Sequence, residues 1–229
     1  MKYEYLLFNL IVLAGPLAYS FERTLHFRQY WRAAFPSIAV SLVVYVLWDA
    51  AVTNRHWYFN PAYMMDIRIL KLPIEEWLFF VTVPYACLFV REALKLVVSN
   101  RMVQNLEFVR IGMFMLLPIG IAVFQIGKEY TGLVLIAFGI VALLDRQLQT
   151  HTFLQTRTYI FLASVIGFTC IFNMYLTARP LLIYAAEYQL GCRIITIPVE
   201  DFGYGVTHIA LCNVLYEYCK LRMGVDAKK

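Results

Sequence analysis

Leu72-Pro73-Ile74-Glu75-Glu76-Trp77-Leu78-Phe79-Phe80 opens one long apolar run, and Ile197-Pro198-Val199-Glu200-Asp201-Phe202 opens another. Each is a proline, one aliphatic residue and two adjacent acids. Pro73 and Pro198 lie 125 residues apart, as do Glu75 and Glu200. An acid pair at the head of a membrane-length segment is costly to keep. Two pairs in register point to one acid site used twice, or to one site built from two halves.

Around these motifs the chain is almost all apolar. Its 229 residues are 61% hydrophobic and 15% charged, with a mean hydropathy of +0.64, outside the range of soluble domains. It reads as an integral membrane protein with no room for a separate soluble domain. About 20 apolar residues cross a bilayer as a helix. On that measure spans fall near 3–21, 34–53, 74–97, 106–126, 130–145, 158–177 and 199–218. The run over 3–19 has the length of a signal peptide. It lacks a basic leader and a small-residue cleavage site, so a retained span is expected.

The formal charge of +5 is assigned to Lys and Arg in short loops between spans, an anchoring pattern and not a nucleic-acid footprint. One side carries Arg23, Arg28, Arg32, Arg91, Lys95, Arg101, Arg110, Arg146, Arg157, Lys220, Arg222, Lys228 and Lys229. The other carries Lys2, Arg55, Arg68, Lys71, Lys128, Arg179 and Arg193. The larger set predicts a cytoplasmic C-terminus and an outer N-terminus. Five cysteines (Cys87, Cys170, Cys192, Cys212, Cys219) show no CxxC and read as small core residues.

The duplication extends beyond the acids. Lys2-Tyr3-Glu4-Tyr5 resembles Lys128-Glu129-Tyr130, and each half has a long aromatic connection before its acid pair. These run through Trp57-Tyr58-Phe59-Asn60-Pro61 and through Arg179-Pro180-Leu181-Leu182-Ile183-Tyr184. Three spans joined directly to three would invert the second copy, and an unpaired fourth span restores the parity. The expected fold is an all-α integral membrane protein. It has seven transmembrane helices, arranged as two parallel three-helix repeats joined by a linking helix. The divisions are 1–100, 101–127 and 128–229.

Proline and acids in a first helical turn have a purely structural use, because they suit the helix start and its dipole. Here, however, the acids are followed at once by Trp77, Leu78, Phe79 and Phe80, and by Phe202 and Tyr204. Apolar surroundings disfavour a carboxylate. A carboxylic acid held neutral beside aromatic rings is equipped to protonate an olefin, and π faces stabilise the resulting cation. Asp49, deep in the second span, is either functional or a structural hydrogen-bonding group. Asn173 sits one residue off its register position, and His208 shares a helical face with Asp201 as a hydrogen-bond partner. Phe79, Phe80, Tyr85 and Phe89 form a stripe suited to packing or to substrate. The last span lacks a lysine for a retinal Schiff base. The four histidines are scattered, and no GxGxxG or aspartate-rich diphosphate motif occurs, so no cofactor or metal is expected.

These residues resemble a known family. Segments 72–80 and 197–202 look like the two halves of the carotenoid lycopene cyclases that exist as two small membrane polypeptides or as their fusion. Trp48-Asp49 and the connection 57–61 match as well, and the likeness covers nearly the whole chain. It departs at Met64-Met65-Asp66-Ile67-Arg68, where a neutral, glycine-containing stretch is usual, and at Gly203, where a second aromatic is usual. The resemblance implies cyclisation of linear lycopene to β-ionone rings without electron exchange. It makes Glu75 and Glu200 the leading acid candidates, with Glu76 and Asp201 as partner carboxylates or bases, and the spacing leaves open which member of each pair protonates. Substrate- or cation-facing roles fall to Asp49, Trp57, Asn60, Phe79, Phe80, Asn173, Phe202, Tyr204 and His208. Implied partners are a linear carotenoid, membrane lipid and other enzymes of the pathway, in a multi-pass prokaryotic cell membrane. Two other classes remain open: a small-solute transporter with three, one and three spans in parallel, and a membrane assembly subunit without chemistry.

Overall fold

The computed structural model describes residues 2–225; Lys228 and Lys229 of the charge count lie outside them. Among the described residues the chain forms α1 (Glu4–Tyr19), α2 (Trp31–Val52), β1 (Trp57–Phe59), β2 (Arg68–Ile69), β3 (Leu72–Pro73) and α3 (Ile74–Val97). It continues through α4 (Glu107–Gln125) to α5 (Glu129–Gln147), α6 (Thr156–Ala178), β4 (Leu182–Tyr184), β5 (Arg193–Ile194), β6 (Ile197–Pro198) and α7 (Val199–Met223). Every element of the later set begins 125 residues after its counterpart in the earlier one.

The acid helices start where their sequences dictate. Pro73 caps α3 with φ −63°, and Glu75 and Glu76 occupy the first turn, where the helix dipole favours negative charge. Pro198, Glu200 and Asp201 repeat this in α7, which Gly224 ends in the left-handed conformation. A short hairpin feeds each helix, with Arg68 opposite Pro73 in one and Arg193 opposite Pro198 in the other. In the first, the two-residue turn Leu70-Lys71 has φ of 52° and 69°, as a tight hairpin demands. The aromatic connections meet each other: β1 and β4 pair antiparallel, with Trp57 opposite Tyr184, and tie the halves together at the acid end.

Within each half the first helix packs on the third, α1 on α3 and α5 on α7. Asn9 of α1 accepts from Thr82 Oγ1 (2.7 Å) and donates to the Glu75 carbonyl (3.1 Å), which sets the register of α1 on α3. Between halves, α2 packs closely along α7, whereas α6 meets α3 over a shorter stretch. The linking helix α4 lies on α5 at backbone distance: a Cβ on Gly120 would stand 2.7 Å from the Gly132 carbonyl oxygen.

Four helical segments are long and apolar enough to cross a membrane: Phe27–Val52, Ile74–Val97, Gln104–Gln125 and Thr156–Ala178. The protein is a membrane protein on this ground. Of the other three helices, α1 is short, with 16 residues, α5 has 19, and α7 is more polar. The polar residues of α7 face inward, where Asp201, Thr207, His208 and Asn213 are buried.

Two expectations need correction. The basic residues are not confined to loops: Arg91, Lys95, Arg110 and Lys220 lie within helices, and Arg91 and Lys220 are buried. The last helix runs to Met223, beyond the expected 218, and so does contain a lysine. Lys220 lies 3.2 Å from Glu92 Oε1, which also accepts from Tyr216, while Lys95 reaches Glu92 Oε2 at 2.8 Å. Glu92 and Lys95 stand 125 residues before Glu217 and Lys220, a second repeated polar pair. Compensated charge inside the bundle escapes a hydropathy count.

Candidate active site

Adjacent acids on a helix point about 100° apart, so the two members of each pair cannot share one environment. Glu75 Oε1 accepts the backbone N–H of Met65 at 2.7 Å, and Glu200 Oε1 accepts that of Leu190, also at 2.7 Å. Met65 and Leu190 are themselves 125 residues apart. Thr131 adds a hydroxyl to Glu200 at 2.7 Å. These first acids thus tie each acid helix to the loop before its hairpin.

The second acids turn toward a common cavity. Tyr5 of α1 donates to Glu76 Oε2 at 2.5 Å, and Tyr130 of α5 donates to Asp201 Oδ1 at 2.7 Å. The rest of each acid's surroundings differs. Glu76 has the Asp49 carboxyl as its neighbour in the cavity wall. Tyr204 donates to Asp49 Oδ1 at 2.7 Å. Asp201 has no carboxyl at that position. It accepts from Tyr184 (2.6 Å) and Asn173 (3.3 Å) in addition to Tyr130. Every partner of Asp201 is thus a donor. Tyr184 lies in the connection, and burial with the nearby Asp201 charge pushes its phenol well above the usual range, so it stays a donor.

The cavity has about 1010 Å³ of empty space, including its mouth. Glu76, Asp49 and Asp201 gather with Tyr5, Tyr130, Tyr184 and Tyr204 at the connection end. Val12, Val83, Val165, Phe168 and Ile209 make most of the remaining wall apolar, with Thr169 and His208 among them. Trp57 sets its ring against three tyrosines, edge-on to Tyr130 at 5.1 Å and near Tyr184 and Tyr204 at 6.2 Å. His208 is buried against Tyr45 at 4.4 Å, and its Nε2 has no partner among the described residues.

Of the residues expected from sequence, Glu76, Asp201, Asp49, Trp57, Phe79, Asn173, Tyr204 and His208 line this cavity. Glu75, Glu200, Asn60, Phe80 and Phe202 do not. Asn60 caps the turn after β1 by accepting from Ala62 N–H at 3.0 Å, and Phe80 backs His208 edge-on at 5.3 Å. The aromatic stripe divides: Tyr85 and Phe89 pack on Phe27, away from the acids. Gly203 is where α7 presses on α5, since a Cβ there would overlap Val134 Cγ1. That contact accounts for the absence of an aromatic.

Sequence reasoning missed the donors Tyr5, Tyr130 and Tyr184. The 125-residue step from Tyr5 to Tyr130 would have found two of them. It also relates the acids and rings of two clamps between halves at the same end, Glu4 with Glu129 and Tyr63 with Tyr188, whereas their arginines stand 124 residues apart. Arg179 bridges Glu4 through Nε at 2.8 Å and lies over Tyr63, while Arg55 bridges Glu129 at 2.5 Å and lies over Tyr188. His56 adds a 3.0 Å contact to Glu129; its burial holds the imidazole below its usual range, and Glu129 opposes that shift.

No curated protein and no solved structure matches this chain. The family model for lycopene cyclase matches residues 2–94 and again residues 127–219, the same 125-residue step. The two matches together take in the acids, both aromatic connections and all their hydrogen-bonding partners described above. The chain therefore belongs to the lycopene cyclase family of carotenoid-biosynthesis enzymes, with two family segments fused in one polypeptide.

Proposed function

We propose that the protein is a lycopene β-cyclase, and that the second acid of each motif does the chemistry. The observation that carries this reading is the unlike setting of two acids in one aromatic cavity. Glu76 lies beside the Asp49 carboxyl, a neighbour that favours keeping a proton on the pair, whereas Asp201 meets only donors. Glu76 gives its proton to the terminal double bond of the linear polyene. The tertiary cation is attacked by the neighbouring double bond, which closes the six-membered ring and moves the charge onto it. Asp201 takes a proton from the ring, and the ring double bond forms. One proton enters and one leaves, so the product is an isomer of the substrate and no co-reactant is consumed. The π faces of Trp57, Tyr204 and Phe79 stabilise the travelling cation. Glu75 and Glu200 are positioning residues in this scheme, a reversal of the order that the family resemblance implied.

The same reading has all seven helices crossing the cell membrane, as parallel repeats 1–100 and 128–229 joined by 101–127. The polar inner face of α7 and the shortness of α1 are compatible with this because the bundle shields them. The acid end lies near the outer face and the C-terminus in the cytoplasm. The acids and tyrosines cluster at one end of a cavity whose other walls are mainly apolar, which favours a lipid-soluble substrate over a transported solute.

The test is pigment analysis of lycopene-producing cells with and without the chain, repeated in heavy water. Cyclic carotene with one solvent deuterium per ring is expected. Unchanged lycopene would remove the cyclase assignment, and rings without deuterium would remove the exchangeable carboxylic acid as initiator.

A further inference from the structure

A second hollow runs along the outside of the bundle between α1 and α6, with about 1290 Å³ of empty space. Leu7 and Ile11 form one wall, and Ile171 and Met174 the other. Leu7 is 50% exposed, Ile11 62% and Ile171 60%, on a face that meets lipid in a membrane protein. Polar groups stand only at one end, where Arg179 and Tyr175 hold Glu4 and Thr196 closes the rim. Phe8 and Phe172 line both this groove and the acid cavity, and their rings meet edge-on at 5.6 Å. Two aromatic rings thus stand between this lipid-facing groove and the acid cavity.

We propose that this groove is a binding subsite for the unreacted length of the linear polyene, and that the Phe8–Phe172 partition is its lateral doorway from the membrane. The inference rests on the cyclase reading and deepens it. A ring-forming end placed at Glu76 leaves most of a long polyene to be housed. The cavity and the apolar groove share two lining residues, Phe8 and Phe172. Such a substrate is dissolved in lipid, and burying its chain against Leu7, Ile11 and Ile171 exchanges one apolar contact for another. The groove therefore sets reach and direction and adds little affinity, because lipid is as apolar as its walls. The aromatic rings at the doorway supply what lipid cannot, π faces for a conjugated chain: Phe8 stacks on Tyr175 at 6.5 Å and on Phe79 at 6.4 Å, a line of rings from groove to cavity.

The experiment compares two substrates in membranes containing the full chain. One is lycopene, and the other is a shortened acyclic polyene with the same end group, which ends inside the cavity. Ile171→Trp and Leu7→Trp fill the groove from its lipid face, and Val43→Trp, on the exposed side of α2, is the control. The expected result is a loss of about tenfold or more on lycopene for both groove variants, the scale of steric discrimination in a pocket. The shortened substrate should keep its rate, and Val43→Trp should keep both. Equal losses on the two substrates, or no loss on either, would overturn the groove assignment while leaving the cyclase standing. An unaltered chain that converts neither substrate would remove the cyclase reading and this inference with it. A readout without turnover covers poor accumulation of the tryptophan variants. Maleimide labelling of Ile171→Cys, resolved from the native cysteines by mass spectrometry, should be blocked by lycopene and not by the shortened polyene. Labelling blocked equally by phospholipid acyl chains alone would refute a polyene subsite.

Discussion

Glu75→Gln and Glu76→Gln change neighbouring residues in the same chemical way, and the structure expects very different outcomes. Glutamine at position 75 keeps the carbonyl oxygen that accepts Met65 N–H, so the bond to the loop stays intact. The cost is about 1 kcal/mol of stability at most, the net worth of one such hydrogen bond. Activity should stay within about fivefold of the parent if that loss falls wholly on the barrier. At position 76 the amide still accepts from Tyr5, so the local packing survives. It has no acidic proton to give. Loss of a general acid costs about 10²- to 10⁴-fold, or roughly 3–5 kcal/mol of barrier. Glu200→Gln and Asp201→Asn form the matching pair in the second half, where Leu190 N–H plays the part of Met65 N–H. The assay is ring formation per unit of membrane-embedded protein in lycopene-producing cells, with abundance measured by immunoblot. Equal, severe losses for Glu75→Gln and Glu76→Gln at normal abundance would refute the division of labour. Full activity in all four variants would refute the acid site itself.

Three other outcomes are expected. Chains cut between residues 100 and 105 and coexpressed should regain cyclisation, because α4 packs on α5 and the halves are held by β1–β4 and the two arginine clamps; an active isolated half would show that the site is not shared. Gly203→Ala should lower thermal stability by about 1–3 kcal/mol through overpacking against Val134, and Val134→Ala in the same chain should restore most of it; a Gly203→Ala protein of unchanged melting temperature would contradict the contact. A cysteine introduced at Lys71, in the exposed turn before Pro73, should react with an impermeant reagent from the outer side, and reaction from the cytoplasmic side alone would reverse the topology.

The sequence by itself determined much of the architecture, because its signals are local or strictly periodic. Apolar runs mark helices wherever they occur, and the predicted span 74–97 coincides with α3. The 125-residue step, read from two proline-acid motifs, locates the start of every paired element. Helix ends were less legible: α7 outruns its apolar stretch because Lys220 is neutralised by Glu92 from another helix. That pairing is a fact of tertiary structure. So is the choice between adjacent acids, since Glu75 and Glu76 are alike in composition and neighbours. Only the hairpin's backbone on one side and Tyr5 on the other separate their roles. The asymmetry of the cavity was equally hidden. Asp49 has Met174 at its register position and Asn173 has Trp48, so the repeat offers no carboxyl dyad to Asp201. Packing brings Asp49 to Glu76 and Asn173 to Asp201, and so converts two similar motifs into two unlike sites facing one cavity. Sequence shows which residues are present at each step of the repeat, but contacts between helices far apart in the chain decide which of them meet.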